Sequence, residues 1–426
     1  MDIVSKPGAP AIRRYWMWFA VYAAAMGVYL YLTRGNGVPE SYRGTPADPA
    51  TFMSARELRV SETYPAWRNW LFFLLSPWEW GLYVILLFSG WGKRLYSRME
   101  NLRWPSLLRF TVYALAVQAV AYFGCLPLRF AGYRMSRFYG ISTQGMGGWL
   151  RDKLVEFAVG AIPLALGLAL AMWLIRRGGR WWLKLWLVSI PFIVFMMVVQ
   201  PVFIDPLYNK YSRLSDPVLE AHILAMADEA EVPAERVYEA NMSAKTNAYN
   251  AYVNGIGPTL RIVVWDTLYR LDESEILPIV AHEIGHYVLH HLEWSTLGLV
   301  GAALVLLYLG QALYRYVYRR WGEAWGLRGP GDPAAAAALL LLLSVLSFAS
   351  LPFSNLVSRQ AERAADEYGL KLAHTPEGVV SMNQKLTAAT YDDVYSPLLV
   401  RLFRDTHPSS MERIHHADEY ARSFRK

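Results

Sequence analysis

The stretch Ala281-His282-Glu283-Ile284-Gly285-His286 lies between apolar runs near residues 182–204 and 296–316, and the two features together decide the fold class. The hexapeptide carries His-Glu-x-x-His in a helix-compatible setting. On an α-helix, residues four apart lie about 40° apart on one face, one turn along. His282 and His286 can therefore each aim a ring nitrogen at one zinc ion. Glu283 projects beside them, where a general base could take a proton from the attacking water. Two solvated or capping histidines on an ordinary helix would read the same way, so the rest of the chain has to decide.

Of the 426 residues, 54% are hydrophobic, and the mean hydropathy is +0.17. That is too apolar for an ordinary soluble chain and points to a mainly α integral membrane protein. The 17 Trp and 27 Tyr suit aromatic belts at the two bilayer surfaces. Cys125, the single cysteine, lies in an apolar run, which excludes a disulfide framework and a thiolate metal site. The net charge of +7 is spread over short loops, with no basic cluster interleaved with aromatics. Lipid headgroups are the expected partner, and nucleic acid is not.

Seven stretches reach the ~20 residues a membrane helix needs. They fall near 15–33, 70–90, 107–128, 155–175, 182–204, 296–316 and 334–354. The first follows Arg13 and Arg14, as a signal peptide would, but the Thr33-Arg34-Gly35-Asn36 region offers no small-x-small cleavage site, so a retained anchor is expected. Lys184 and Pro191 in the fifth stretch are tolerable through snorkelling and a kink. The plan is thus a membrane region over 1–204, a polar region over 205–294, a transmembrane hairpin over 295–354 and a second polar region over 355–426. The two polar pieces should form one domain split by the hairpin. Residues 217–231 predict an amphipathic helix with Val218, Leu219, Ile223, Leu224, Met226 and Ala227 as its apolar positions. Leu260–Trp265 predicts a strand, Asn247–Val253 its partner, and Asn254-Gly255 a turn. Asp272 and Glu275 form a capping-box start for the helix carrying the histidines, although Pro278 suggests a start a few residues later. There is no internal repeat, and the Ala/Leu run 334–343 is explained by a membrane helix.

Two histidines leave a zinc site one protein ligand short. A third histidine ten residues after the first is one solution, but that position is Leu292. His290 and His291 lack the spacing and read as a polar helix end near the membrane surface. A carboxylate from a later helix is the other solution, and Asn355–Asp366 supplies it. Glu362 and Asp366 are four apart on one face; Glu362 could bind the metal while Asp366 holds a ligand histidine by its free N–H. The same segment also reads as a solvated face on which Arg359, Glu362, Arg363, Asp366 and Glu367 pair with one another.

From about residue 130 onward the chain resembles the type I CAAX prenyl proteases, integral-membrane zinc metalloendopeptidases. The resemblance rests on His282-Glu283-Ile284-Gly285-His286 and on a second motif at Asn355, Ser358, Arg359, Glu362, Ala365 and Asp366. Thr246-Asn247-Ala248-Tyr249, Ile262-Val263-Val264, Asp266-Thr267-Leu268 and Pro206-Leu207-Tyr208-Asn209-Lys210 follow the family's pattern in order. So do His407-Pro408 with Arg413 and the loop Phe138–Gln144, where Tyr139 and Ile141 depart from it. The resemblance implies seven helices enclosing a chamber, closed at one end by a gluzincin-like zinc domain with a small β-sheet. It implies one zinc per chain held by His282, His286 and Glu362, with Glu283 as base. It further implies that His407 and Arg413 lie near the scissile bond, where His407 can donate to a developing oxyanion and Arg413 can anchor a substrate carbonyl or carboxylate. Asn247, Ala248 and Tyr249 would be an edge that pairs with an extended substrate.

The expected activity is peptide hydrolysis, with removal of the tripeptide after a prenylated cysteine as the family's substrate class. A membrane-protein quality-control protease of broader specificity is the near alternative, and a seven-span transporter or receptor with a structural zinc is the distant one. The substrate is a peptide or protein, with or without a lipid; oligomeric state stays open. The Ala-, Arg- and Trp-rich composition suggests a bacterial inner membrane, or the endoplasmic reticulum in a eukaryote. Orientation gives conflicting signs. Lys93, Arg94, Arg98, Arg103, Arg176, Arg177, Arg180, Arg315, Arg319 and Arg320 favour a cytoplasmic N-terminal side, whereas the resemblance puts the zinc domain in the cytoplasm. Arg129, Arg134, Arg137, Arg151 and Lys153 on the opposite side weaken the charge argument. The C-terminal Ser423-Phe424-Arg425-Lys426 shows no retention or lipidation signal.

Overall fold

A computed structural model describes residues 8–34, 37–255 and 260–424. Gly35-Asn36, the residues following Asn254-Gly255 in the expected turn and the final Arg425-Lys426 lie outside the described residues. The membrane region begins with α1 (Ala9–Thr33), α2 (Ala55–Phe88), α3 (Trp91–Glu100) and α4 (Ser106–Gly124). It continues with α5 (Leu126–Phe138), α6 (Met146–Arg177), α7 (Trp181–Val199) and the short α8 (Asp205–Tyr208), joined to α7 through a π-turn. The core of this region forms where Leu86, Tyr113, Val117, Leu168 and Met172 meet Ala335–Ala338. The alanines of the expected low-complexity run are therefore buried contacts, whose small side chains let the helices approach closely. At this end Arg328 bridges Glu100 at 2.7 Å and Asp332 at 3.1 Å, and the Arg176 Nε–H donates to the Gly331 carbonyl at 2.8 Å.

The polar region builds a four-stranded sheet from β1 (Tyr211–Arg213), β2 (Val237–Ala240), β3 (Ala251–Asn254) and β4 (Arg261–Trp265), in the order β1-β2-β4-β3. β2 runs parallel to β4, with Val237 opposite Ile262; β3 is antiparallel to β4, with Ala251 opposite Val264. The helix α9 (Pro217–Glu229) packs beneath with Leu219, Ile223, Met226 and Ala227 buried. Its start is fixed by Asp216, whose side chain accepts from Val218 and Leu219. Val218, expected on the apolar face, is exposed. The expected strand over Asn247–Val253 is shortened to β3, because Asn247 is drawn away: its N–H donates to the Ile141 carbonyl at 2.9 Å. The helix α10 (Glu273–Val288) starts at its Asp272–Glu275 capping box and not after Pro278. The box decides the start, and the Ser274 carbonyl that Pro278 cannot bond faces Gly378 of a later helix.

Next come α11 (His291–Trp321) and α12 (Ala336–Leu372), followed by α13 (Pro376–Thr390), α14 (Leu398–Phe403) and α15 (Ser410–Phe424). Among the described residues seven helices are long and apolar enough to cross a bilayer: α1, α2, α4, α6, α7 extended through α8, α11, and α12 with its leading turn. Leu187 and Phe195 on α7 and Leu297 and Leu299 on α11 are exposed, as lipid-facing residues are. At 37 residues, α12 is about 55 Å long and carries the seventh apolar stretch, Glu362 and Asp366 on one unbroken rod. That continuity returns the second polar piece to α10.

Candidate active site

The site forms where α10 crosses α12. Contact is close because both helices offer glycine at the crossing. A Cβ on Gly369 would lie 2.8 Å from the His282 backbone, and one on Gly285 would lie 3.2 Å from the Ala365 carbonyl. The crossing presents His282, His286 and Glu362 to one point, with ligand-type atoms of all three within 4.8 Å of one another. The Nε2 atoms of His282 and His286 face each other at 3.1 Å. Glu362 Oε2 lies 3.2 Å from His282 Nε2, and Oε1 lies 3.5 Å from His286 Nε2.

The far side of each imidazole is also occupied. His282 Nδ1 lies 2.9 Å from Asp366 Oδ1, and His286 Nδ1 lies 2.8 Å from His291 Nδ1. A proton on each Nδ1 would leave two Nε2 lone pairs facing each other across 3.1 Å beside a carboxylate. Glu362 Oε2 is buried with no hydrogen-bond donor. Two facing ring nitrogens beside a buried carboxylate oxygen make a pocket that favours a cation, so these donors fit a metal. Two imidazoles and a carboxylate are a donor set that would suit zinc.

Asp366 is held in turn by Arg413, whose Nη2 and Nε donate at 2.5 and 3.0–3.1 Å. Burial works against a charged His282, yet the neighbouring Asp366 and Glu362 carboxylates outweigh it and lift the imidazole to about 9, so the pocket favours positive charge at this ring. Burial likewise pushes the Glu283 carboxyl up, against the pull of His282 and His286, which suits a proton carrier. His407 is pushed down, chiefly by burial, and its Nε2 lies 3.3 Å from Glu362 Oε2. It reaches the site because α12 braces its loop. Arg359 donates to the Arg401 and Asp405 carbonyls, both at 2.6 Å, and Asn355 donates to the Leu402 carbonyl at 3.0 Å.

The geometry brings together His282, Glu283, His286, Glu362, Asp366, His407 and Arg413. Arg413, expected at the substrate, spends its guanidinium on Asp366. Asn247 gives its side-chain N–H to the Gly140 carbonyl at 2.7 Å and accepts from Arg270 at 2.8 Å. The Ala248 carbonyl accepts from Thr267 at 2.8 Å, and Tyr249 packs against the domain core. Residues 140–144 thus lie along the edge expected for substrate, with Ser142 opposite Thr246. His291, read as a polar helix end, instead touches His286; spacing alone does not signal this. The braces at Asn355 and Arg359 were visible only as letters of a motif.

Residues 213–421 match the family model of peptidase family M48, and residues 38–210 match that of the CAAX prenyl protease N-terminal region with five membrane helices. Over 403 residues the chain is 42% identical to the uncharacterized metalloprotease YhfN of Bacillus subtilis, covering 94% of this chain and 95% of that protein. The chain belongs to peptidase family M48. This M48 protein is an integral-membrane, multi-pass metalloendopeptidase. It is 26% identical to the CAAX prenyl protease 1 homolog of Arabidopsis thaliana over 359 residues, 82% of this chain and 80% of that one. The fold is similar to the crystal structure of S. mikatae Ste24p, with a TM-score of 0.78 at 19% identity over 98% of this chain and 99% of that one. The expected mainly α membrane fold with its small sheet is thereby borne out, as is the expectation of a metalloprotease.

Proposed function

We propose that this M48 peptidase binds one zinc per chain through His282, His286 and Glu362 and hydrolyses a peptide bond near the C-terminus of a lipidated substrate. The observation that carries the metal assignment is the pair of Nε2 atoms facing at 3.1 Å beside the donorless Glu362 Oε2. When bound, zinc supplies a lowered water pKa and a polarised scissile carbonyl. Glu283 takes the proton of the attacking water and delivers it to the leaving amine. His407, across Glu362 from the histidines, donates to the oxygen on which charge develops. Asp366, anchored by Arg413, fixes the His282 ring with Nε2 forward. Backbone pairing of substrate at Asn247–Tyr249 requires residues 140–141 to release Asn247.

The catalytic domain in this reading is split, with its halves at 205–294 and 355–426 rejoined by the 295–354 hairpin. The lipid assignment is supported by two adjoining cavities. One, of about 330 Å³, has His407, Arg413, Arg68 and Arg404 in its wall. The other, of about 270 Å³, shares Arg68 and Arg404 and is otherwise mostly apolar, with Leu71, Phe72, Leu128 and Met135. A peptide in the first cavity can lay an apolar chain in the second. The relatives named CAAX prenyl protease 1 homolog favour a prenylated cysteine. With a Bacillus subtilis relative in view, our reading is a bacterial inner-membrane protein with its zinc end in the cytoplasm.

Pure protein should cleave a farnesylated tetrapeptide-tailed substrate in a chelator-sensitive reaction, and Glu283→Gln should abolish cleavage while keeping its metal by elemental analysis. Equal cleavage of the unlipidated form would replace the lipid assignment with broad proteolysis. Wild-type rates in Glu283→Gln would refute its role as base. A C-terminal tag protected from added protease in sealed right-side-out vesicles is the outcome expected of a cytoplasmic zinc end.

A further inference from the structure

His286 and His291 are five residues apart, and on a straight α-helix that separation is about 140° around the axis, so the two rings would point apart. They meet because the helix does not continue. α10 ends at Val288, and His290 takes φ 54° and ψ 35°, the left-handed region that few non-glycine residues adopt. The Leu289 N–H still bonds the Gly285 carbonyl and the His290 N–H bonds the Tyr287 carbonyl, both at 3.0 Å, so the break is a fixed turn. His291 then opens α11 with its ring turned back on α10. The two rings stand 5.0 Å apart at 67°, and the short contact is Nδ1 to Nδ1 at 2.8 Å.

Two imidazole nitrogens at that distance must be a donor and an acceptor. His286 Nε2 faces His282 and Glu362, so its lone pair belongs to the metal and its proton to Nδ1. The acceptor is then the Nδ1 lone pair of His291. Because His291 approaches the nitrogen that points away from the other donors, it is not itself a ligand.

We propose that His291 is a positioning residue whose Nδ1 accepts the Nδ1–H of His286, fixing that ligand's tautomer and ring rotation through the left-handed turn at His290. The two ligand histidines are thus held by different acceptors: a carboxylate behind His282 and a neutral ring behind His286. A histidine that donates its second N–H keeps its metal-binding nitrogen aimed and basic, and loss of such a partner weakens metal binding by about 10–100-fold.

The inference rests on the zinc reading above, so zinc binding by the unaltered full-length protein in detergent is measured first, by chelator competition. No binding there refutes both. Given binding, His291→Asn and His291→Gln are compared, with thermal melting of the zinc-free forms reporting on the fold. The Asn amide overlays the Nδ1 position and can accept; the Gln amide reaches the Nε2 position and cannot. The expected result is zinc affinity near wild type for His291→Asn and about 10–100-fold weaker for His291→Gln, with unchanged zinc-free melting. A His291→Leu variant should match His291→Gln. Wild-type affinity in His291→Gln overturns the proposal, and so does equal weakening in the Asn and Gln variants, which would mark a role for ring packing alone.

Discussion

Arg413 gives donors to both oxygens of Asp366, which lies 2.9 Å from His282 Nδ1, so three side chains form one line from the C-terminal helix to the proposed metal ligand. The guanidinium stays charged because Asp366 more than offsets its burial. In Arg413→Gln, Asp366 loses its counter-charge and its fixed orientation. Zinc affinity and kcat should both fall by about 10–100-fold, with KM little changed. A residue that anchored substrate would raise KM and leave zinc binding intact, so the two measurements separate the roles. Glu362→Ala should lower zinc content, because it removes one of three converging donors; unchanged metal by elemental analysis would remove Glu362 from the ligand set. His282, Glu283 and His286 are legible in sequence because helical spacing alone puts them together. The path from Arg413 through Asp366 is not, because 47 residues separate the partners and only the fold, which lets Arg413 of α15 reach Asp366 of α12, unites them.

The elements matter through one crossing. α10 and α12 approach so closely that Gly369 has no room for a Cβ, which would lie 2.8 Å from His282 N and Cα. Gly369→Ala must push the helices apart at the ligand itself. It should cost about 1–3 kcal/mol of stability, read as a lower melting temperature in detergent, and should weaken zinc binding as well. Were the zinc affinity unchanged, the crossing distance would not control the site. Membrane helices were readable because length and hydropathy suffice to find them. The short strands were less so: β1 has three residues and a largely exposed pattern, and β2 pairs in parallel with a strand reached only across β3. That one helix carries both the seventh span and the Glu362 motif was only partly legible: Asn355 follows the span directly in a helix-compatible segment, but the hydropathy changes part-way along.

At the scale of the whole molecule, the membrane region and the catalytic end are tied by charge. Arg68 on α2 pairs with Asp392, after α13, at 2.8 Å. Burial opposes a charged Asp392, but Arg68 outweighs it and holds the carboxyl below its usual range. Its neighbour Asp393 is pushed up to about 6, by burial first and by Asp405 next. The two adjacent aspartates therefore make opposite contributions to stability against pH. Asp392, depressed in the folded state, stabilises fully above the unfolded value of about 3.9, and that contribution is lost as pH falls through the folded value. Asp393, raised in the folded state, destabilises at neutral pH, and the penalty is relieved as pH falls from about 6 towards the unfolded value of about 3.9. Asp392→Asn should lower the melting temperature at pH 7, with the gap to wild type closing only below about pH 4. Asp393→Asn should raise the melting temperature at pH 7.5, with the gap closing between about pH 6 and pH 4. Melting curves in detergent across about pH 3–8 test both, each variant being read as a difference from wild type so that general acid unfolding cancels. If the two gaps moved together with pH, Arg68 would not distinguish the two carboxyls, and the tie between membrane region and catalytic end would have to lie elsewhere.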